Sequence, residues 1–171
     1  MADILSLSAQ LGKFEDSKAG LPPIHEWSPE LSGDMDMEIK ASGEWIHEGE
    51  PILREKLTKL FSTILKQENN DYFLVTPVEK WRIRVEDQPF SAVLADFSGN
   101  HIHLITNLGD EIILDSTDKW VFDGDKAPKV LVRDKLWARL NRNVFYEMAG
   151  RAYESEDGFW IEQGSLKFKI G

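Results

Sequence analysis

The chain has 171 residues, no cysteine, 20 Lys and Arg against 30 Asp and Glu, and a formal net charge of −10. At 42% hydrophobic and 29% charged it is too apolar to stay disordered, and without cysteine it has no disulfide scaffold, cysteine-ligated zinc, iron–sulfur cluster or thiol nucleophile. The acidic balance opposes a sequence-independent grip on long duplex DNA, which needs a basic footprint.

Leu7, Leu11 and Phe14 stand at i, i+4, i+7, the spacing of a short amphipathic helix over 4–14. Residues 18–23 break it, and 21–33, with Pro22, Pro23, Pro29 and Gly33, read as an extended loop. Asp34, Asp36 and Glu38 then alternate with Met35, Met37 and Ile39, the period of a half-buried strand with its apolar residues inward. The three carboxylates read as a solvated acidic edge, because a calcium loop would need a glycine turn and a closing glutamate. A second short strand covers 44–47. Pro51, suited to a first helical position, predicts a helix over 52–66 with a stripe of Leu53, Leu57, Leu60, Phe61, Ile64 and Leu65. Strands follow at 72–76, 80–86, 90–97, 101–106 and 111–115. The 80–86 strand carries Trp81, Ile83 and Val85 on one face and Lys80, Arg82 and Arg84 on the other, and 90–97 is apolar enough to be central. Their short links predict an antiparallel meander, since parallel connections need a dozen or more residues. Segments 129–133 and 136–140 alternate again, 141–153 has helical spacing at Val144, Phe145, Met148 and Ala149, and strands at 158–161 and 166–170 close the chain.

The order repeats. In each half two strands precede an amphipathic helix (Ile52, Arg54, Leu57, Leu60; then Leu140, Arg142, Phe145, Met148), an acidic linker and a strand. The pattern points to an α+β duplication. The alternative is that two amphipathic helices before strands look alike by chance.

Residues able to carry chemistry are sparse. His101 and His103 share a strand face and could hold a metal through imidazole, but no third ligand stands nearby, so a solvated face is the stronger reading. Nucleophile elbow, zincin and phosphate-loop motifs are absent, and no catalytic residue is assigned. The bases are unevenly placed: residues 126–151 hold seven bases against two acids, whereas 96–125 hold seven acids against Lys119. Such asymmetry marks a charged internal interface or an anion site. Arginine grips phosphate with a planar fork, and the indoles of Trp45, Trp81 and Trp137, near these bases in sequence, offer stacking faces. Against this stands the ordinary fate of arginine, with its stem over apolar surface and its head paired to excess acid.

The run Gly43, Glu44, Trp45, Ile46, His47, Glu48, Gly49, Glu50, Pro51, Ile52, Leu53, Arg54, then Leu60 and Phe61, and then Thr76, Pro77, Val78, Glu79, Lys80, resembles the bacterial family known as domain of unknown function 1285. The resemblance continues through Asp87, Gln88, Pro89, Phe90, through Asn107 to Asp110, and on to Val144, Phe145, Tyr146 and Glu147. It implies two similar α+β domains with antiparallel sheets, the second resembling a pleckstrin-homology fold: a helix and linker over 1–20, a first domain over 21–86 and a second over 87–171. It also implies a role in signalling and a nucleotide-like ligand bound between the domains; with the clustered bases, the reading is a non-enzymatic protein that binds an anionic ligand there. On this sequence that site would comprise Trp45, Arg54, Thr76, Pro77, Glu79, Lys80, Arg82, Arg133, Arg139 and Arg142. No cofactor or metal is expected. The competing reading is a protein-interaction adaptor without a small ligand. The opening residues lack a secretory pattern, and no apolar run approaches membrane-spanning length, so a cytoplasmic location is expected.

Overall fold

The computed structural model describes residues 4–15 and 20–171, without the side chains of 12–15. It divides into two compact units, Met1–Glu86 and Asp87–Gly171. Among the described residues no helix is long and apolar enough to cross a membrane.

In the first unit, α1 (Ile4–Glu15) buries Leu7 and Leu11, as their spacing demands; Phe14, the third expected member of the stripe, lies outside the described side chains. A 3-10 turn, Ile24–Glu26, interrupts the proline-rich loop. Then come β1 (Gly33–Ile39), β2 (Trp45–His47), β3 (Glu50–Pro51), α2 (Glu55–Ser62), β4 (Leu65–Glu68), β5 (Asp71–Val75) and β6 (Lys80–Val85). They form one six-stranded sheet in the order β3-β2-β1-β6-β5-β4. Met35, Met37 and Ile39 are buried as the alternation predicts. The sheet is not purely antiparallel: β1 and β6 pair in parallel at its centre. The all-antiparallel expectation fails there because the chain from β1 to β6 is long enough for a parallel connection, and the meander expected over 72–115 breaks where the strands at 80–85 and 90–96 enter different sheets.

The helix is shorter than the apolar stripe predicts. Pro51 pairs with Ile46 on the edge strand β3, where its missing N–H is harmless, and Leu53 is 85% exposed. At the other end the hydroxyls of Ser62 and Thr63 donate to the carbonyls of Lys59 and Leu60, engaging acceptors of the last turn. Leu65 then enters β4. Phe61, Ile64 and Leu65 are all buried, so a helix face continued by a strand mimics one longer helix.

The second unit contains β7 (Phe90–Asp96), β8 (Ile102–Thr106), β9 (Glu111–Leu114), a 3-10 turn Thr117–Lys119, β10 (Trp120–Val121), β11 (Lys129–Arg133) and β12 (Leu136–Leu140). Their sheet runs β10-β11-β12-β7-β8-β9, with β12 and β7 parallel. Counted from its own first strand, this is the order of the first sheet, and β7 is central as its sequence predicts. The two domains are thus similar in sheet topology, but the correspondence differs from the sequence echo. α2 lies between the two meanders of its sheet, where the second unit has only the 3-10 turn. α3 (Arg142–Ala149), capped by the Asn141 side chain accepting from the Val144 N–H at 2.8 Å, follows its sheet. It leads into a separate three-stranded sheet, β13 (Tyr153–Ser155), β14 (Gly158–Gln163) and β15 (Leu166–Lys169). Aligning α2 with α3 therefore matched two unrelated amphipathic helices.

This small sheet is tied closely to the large one. The Trp120 indole N–H donates to the Lys169 carbonyl at 2.8 Å, and the Gln163 amide donates to the Phe97 carbonyl at 2.8 Å. Gly158 has φ +136°, and a Cβ there would overlap the Gly171 carbonyl oxygen, which accepts the Phe159 N–H. We expect Gly158→Ala to cost about 1–3 kcal/mol in urea unfolding, because the strained φ and the overlap cannot both be relieved. An unchanged midpoint would show that the C-terminal residue yields freely.

Candidate functional site

On β6 the bases Lys80, Arg82 and Arg84 share a face, and the parallel register sets Asp34 beside Arg82 and Glu38 beside Arg84. Arg82 Nη1 donates to Asp34 at 3.1 Å, and its Nε lies 3.7 Å from Asp71. Arg84 reaches Asp36 at 2.7 Å and Glu38 at 3.3 Å. The acidic alternation of β1 is therefore not a solvated edge: β1 lies inside the sheet, and its carboxylates neutralise the neighbouring arginines. Lys80 donates to Glu68 at 2.6 Å over the Phe73 ring, and Lys66 holds the same carboxylate at 3.0 Å. Hydrogen bonds from Lys80, then Lys66, pull the Glu68 carboxyl below its ordinary range.

The Thr-Pro-Val-Glu-Lys run is a turn device. Thr76 is fully buried, and its hydroxyl accepts from the Val78 and Glu79 N–H groups at 3.3 and 2.9 Å. Pro77 sits exposed at the tip, suited by its fixed φ. Glu79 accepts from the Gln10 amide of α1 at 2.9 Å. Trp45 offers no stacking face: it is 2% exposed, with its ring 6.4 Å from Phe61. The indole N–H groups of Trp45 and Trp81 are buried without partners among the described residues. Arg54 starts α2 with its backbone, while its exposed side chain makes no ion pair among the described residues.

In the second unit, Arg139 grips both oxygens of Asp87 at 2.9 Å through Nε and Nη2, while Nη1 donates to the Ala127 carbonyl at 2.6 Å. This fork holds the Asp87 carboxyl below its ordinary range against the opposing effect of burial. Arg133 lies over the Phe90 ring and donates to Asp110 at 2.6 Å; Asp110 also accepts from the Thr106 hydroxyl at 2.9 Å. Arg142 is exposed and donates to the Tyr146 hydroxyl at 3.1 Å. His103 stands across from Asp96; among the described residues, His101 Nδ1 is buried without a hydrogen-bond partner and no group of three metal-ligating side chains occurs.

Sequence reasoning missed the outward face of β7, β8 and β9. A groove of about 380 Å³ opens there between Leu94, Asp96, His103, Ile105 and Glu111. The register forms two rows across the strands: Leu94, Ile105 and Glu111, then Asp96, His103 and Ile113. Leu94 is 60% and Ile113 41% exposed, whereas Leu104 and Ile112 on the other face are buried. The signal was legible in the pairs Val93–Leu94, Leu104–Ile105 and Ile112–Ile113, which put apolar residues on both faces. Strands of that kind normally have both faces covered.

The fold and both domains match known relatives. The family model described as "Domain of unknown function (DUF1285), N-terminal domain" matches residues 22–88, and "Protein of unknown function (DUF1285), C-terminal domain" matches 89–170. A crystal structure of a DUF1285 family protein from Silicibacter pomeroyi DSS-3 is 31% identical, with a TM-score of 0.85 over 99% of this chain and 95% of that one. Another, from Shewanella baltica OS155, is 28% identical, with a TM-score of 0.59 over 68% of this chain and 91% of that one. No curated protein matches the chain. The chain belongs to the DUF1285 family and carries both of its domains.

The Asp87–Arg139 pair yields a pH prediction. A carboxyl whose folded pKa is depressed stabilises fully above its unfolded value, about 4, and loses that contribution as pH falls through the folded value. Urea midpoints measured from pH 6 down to pH 3 are expected to fall. Asp87→Asn should cost about 1–3 kcal/mol at pH 6, because it leaves the Arg139 guanidinium poorly paired, and should make the fall shallower. A variant matching the parent at both ends would show that the pair contributes nothing.

Proposed function

We propose that the protein is a non-enzymatic interaction module whose C-terminal domain docks a protein segment on the outward face of β7, β8 and β9. The carrying observation is the exposed Leu94 on a central strand, with Ile105 opposite it in a groove and Ile113 exposed two strands away on the same face. Apolar patches rimmed by charge on a folded surface are characteristic of interaction sites. The fate of the cations supports the same reading: Lys80, Arg82, Arg133 and Arg139 each hold a carboxylate of their own domain, which an anionic ligand would have to displace. A pleckstrin-homology-like character of the second domain, and a role in signalling, accord with a docking module built from a sheet followed by one helix.

One observation favours the anionic-ligand reading in a narrower form. Lys66 and Lys80 line a pocket of about 100 Å³ with Trp27, Ser28 and Glu68, where two cations face one carboxylate.

Leu94→Asp is expected to fold normally by circular dichroism yet lose a stoichiometric partner that the parent chain captures, whereas Leu53→Asp, at an exposed site in the other domain, keeps it. A panel of nucleoside mono-, di- and triphosphates is expected to leave Tm unchanged. Retained capture by Leu94→Asp, together with a saturable rise in Tm with one nucleotide, would replace the docking reading with the anionic one.

A further inference from the structure

We infer that the segment docked on β7, β8 and β9 is an extended strand of the pattern basic-x-apolar-x-basic; this rests on the docking reading above. Several carboxylates of the protein are already neutralised: Asp34, Asp36 and Glu38 by β6 arginines, Asp87 by Arg139, Asp110 by Arg133 and Asp115 by Lys119. Asp96 and Glu111, which frame the groove, make no ion pair among the described residues; Asp96 accepts only from the Ser98 loop residue. The groove thus sets Leu94 and Ile105 between two carboxylates that carry no ion pair to a lysine or arginine among the described residues, with the His103 ring beside Asp96.

Their placement sets the spacing. Asp96 ends its row on β7 and Glu111 ends the other row on β9, so they are diagonal across two strand intervals and one two-residue step. With strands ~4.8 Å apart and ~3.3 Å per residue, the diagonal is about 12 Å. An extended chain places side chains i and i+4 on one face about 13 Å apart, with i+2 between them. That central side chain would sit over Ile105 and the His103 ring, flanked by Leu94 and Ile113. A second copy presenting the same face would set Asp96 and Glu111 against like charges, which favours a foreign, cationic segment.

The test uses the full chain with methyl labels and three blocked heptapeptides: Ser-Lys-Thr-Leu-Thr-Lys-Ser, its Glu-for-Lys analogue, and an isomer with the two lysines adjacent. The Lys-x-Leu-x-Lys peptide is expected to shift the Leu94, Ile105 and Ile113 methyls, and to bind at least tenfold more weakly to an Asp96→Lys, Glu111→Lys double variant. That variant should bind the Glu analogue instead, and the adjacent-lysine isomer should bind the parent weakly. Equal shifts from Lys and Glu peptides, shifts centred on β1, or a concentration-dependent dimer abolished by Leu94→Asp would overturn the inference. If no peptide binds while Leu94→Asp still loses its partner, the charge pattern falls and the docking face stands. If Leu94→Asp keeps its partner, the docking reading itself has failed.

Discussion

In each domain the first and sixth strands of a six-stranded sheet lie side by side in parallel, β1 against β6 and β7 against β12. That central pairing closes two meanders into one sheet, buries the strands that carry the core, and decides which charges meet. In the first domain it sets the acids of β1 against the arginines of β6 at a spacing that pairs them in turn. In the second it places β7 at the centre, with Phe90 and Ala92 buried and Leu94 turned outward.

Four of the six bases expected to form an anion site, Lys80, Arg82, Arg133 and Arg139, are paired internally. A net charge of −10 with clustered bases looks from composition like an open anion site, yet these four meet carboxylates of their own domains. Exposed pairs of this kind contribute little stability each, and the Arg82 and Arg84 contacts belong to that class. The Asp87–Arg139 fork differs: it is largely shielded, bidentate and further anchored on a backbone carbonyl.

Besides these pairs stands an exposed apolar face. The outward rows on β7, β8 and β9 expose leucine and isoleucine where a half-buried antiparallel sheet would place polar side chains. Asp96 and Glu111, which make no ion pair to a lysine or arginine among the described residues, frame them. In the same domain the small sheet, through Gln163 and Lys169, braces the Phe97 loop and Trp120.

The sequence by itself determined most local structure. Alternation placed β1 with its inward residues, the two faces of β6, and β11 and β12; apolarity placed β7, and helical spacing found α1 and α3. Those signals depend on neighbours a few residues apart, and burial enforces them. The resemblance of the Thr-Pro-Val-Glu-Lys run to a family was likewise legible, although its physical role as a turn closed by the Thr76 hydroxyl was not. Only tertiary structure decided the rest. It cut the 52–66 stripe into α2 and β4, because an apolar period cannot distinguish a helix from a helix that hands over to a strand. It buried Trp45, brought Asp34 to Arg82 and Asp87 to Arg139 across 48 and 52 residues, and left Leu94 outside. Such facts depend on which strand lies beside which, and the parallel joint of distant strands leaves no trace in any short window of the chain.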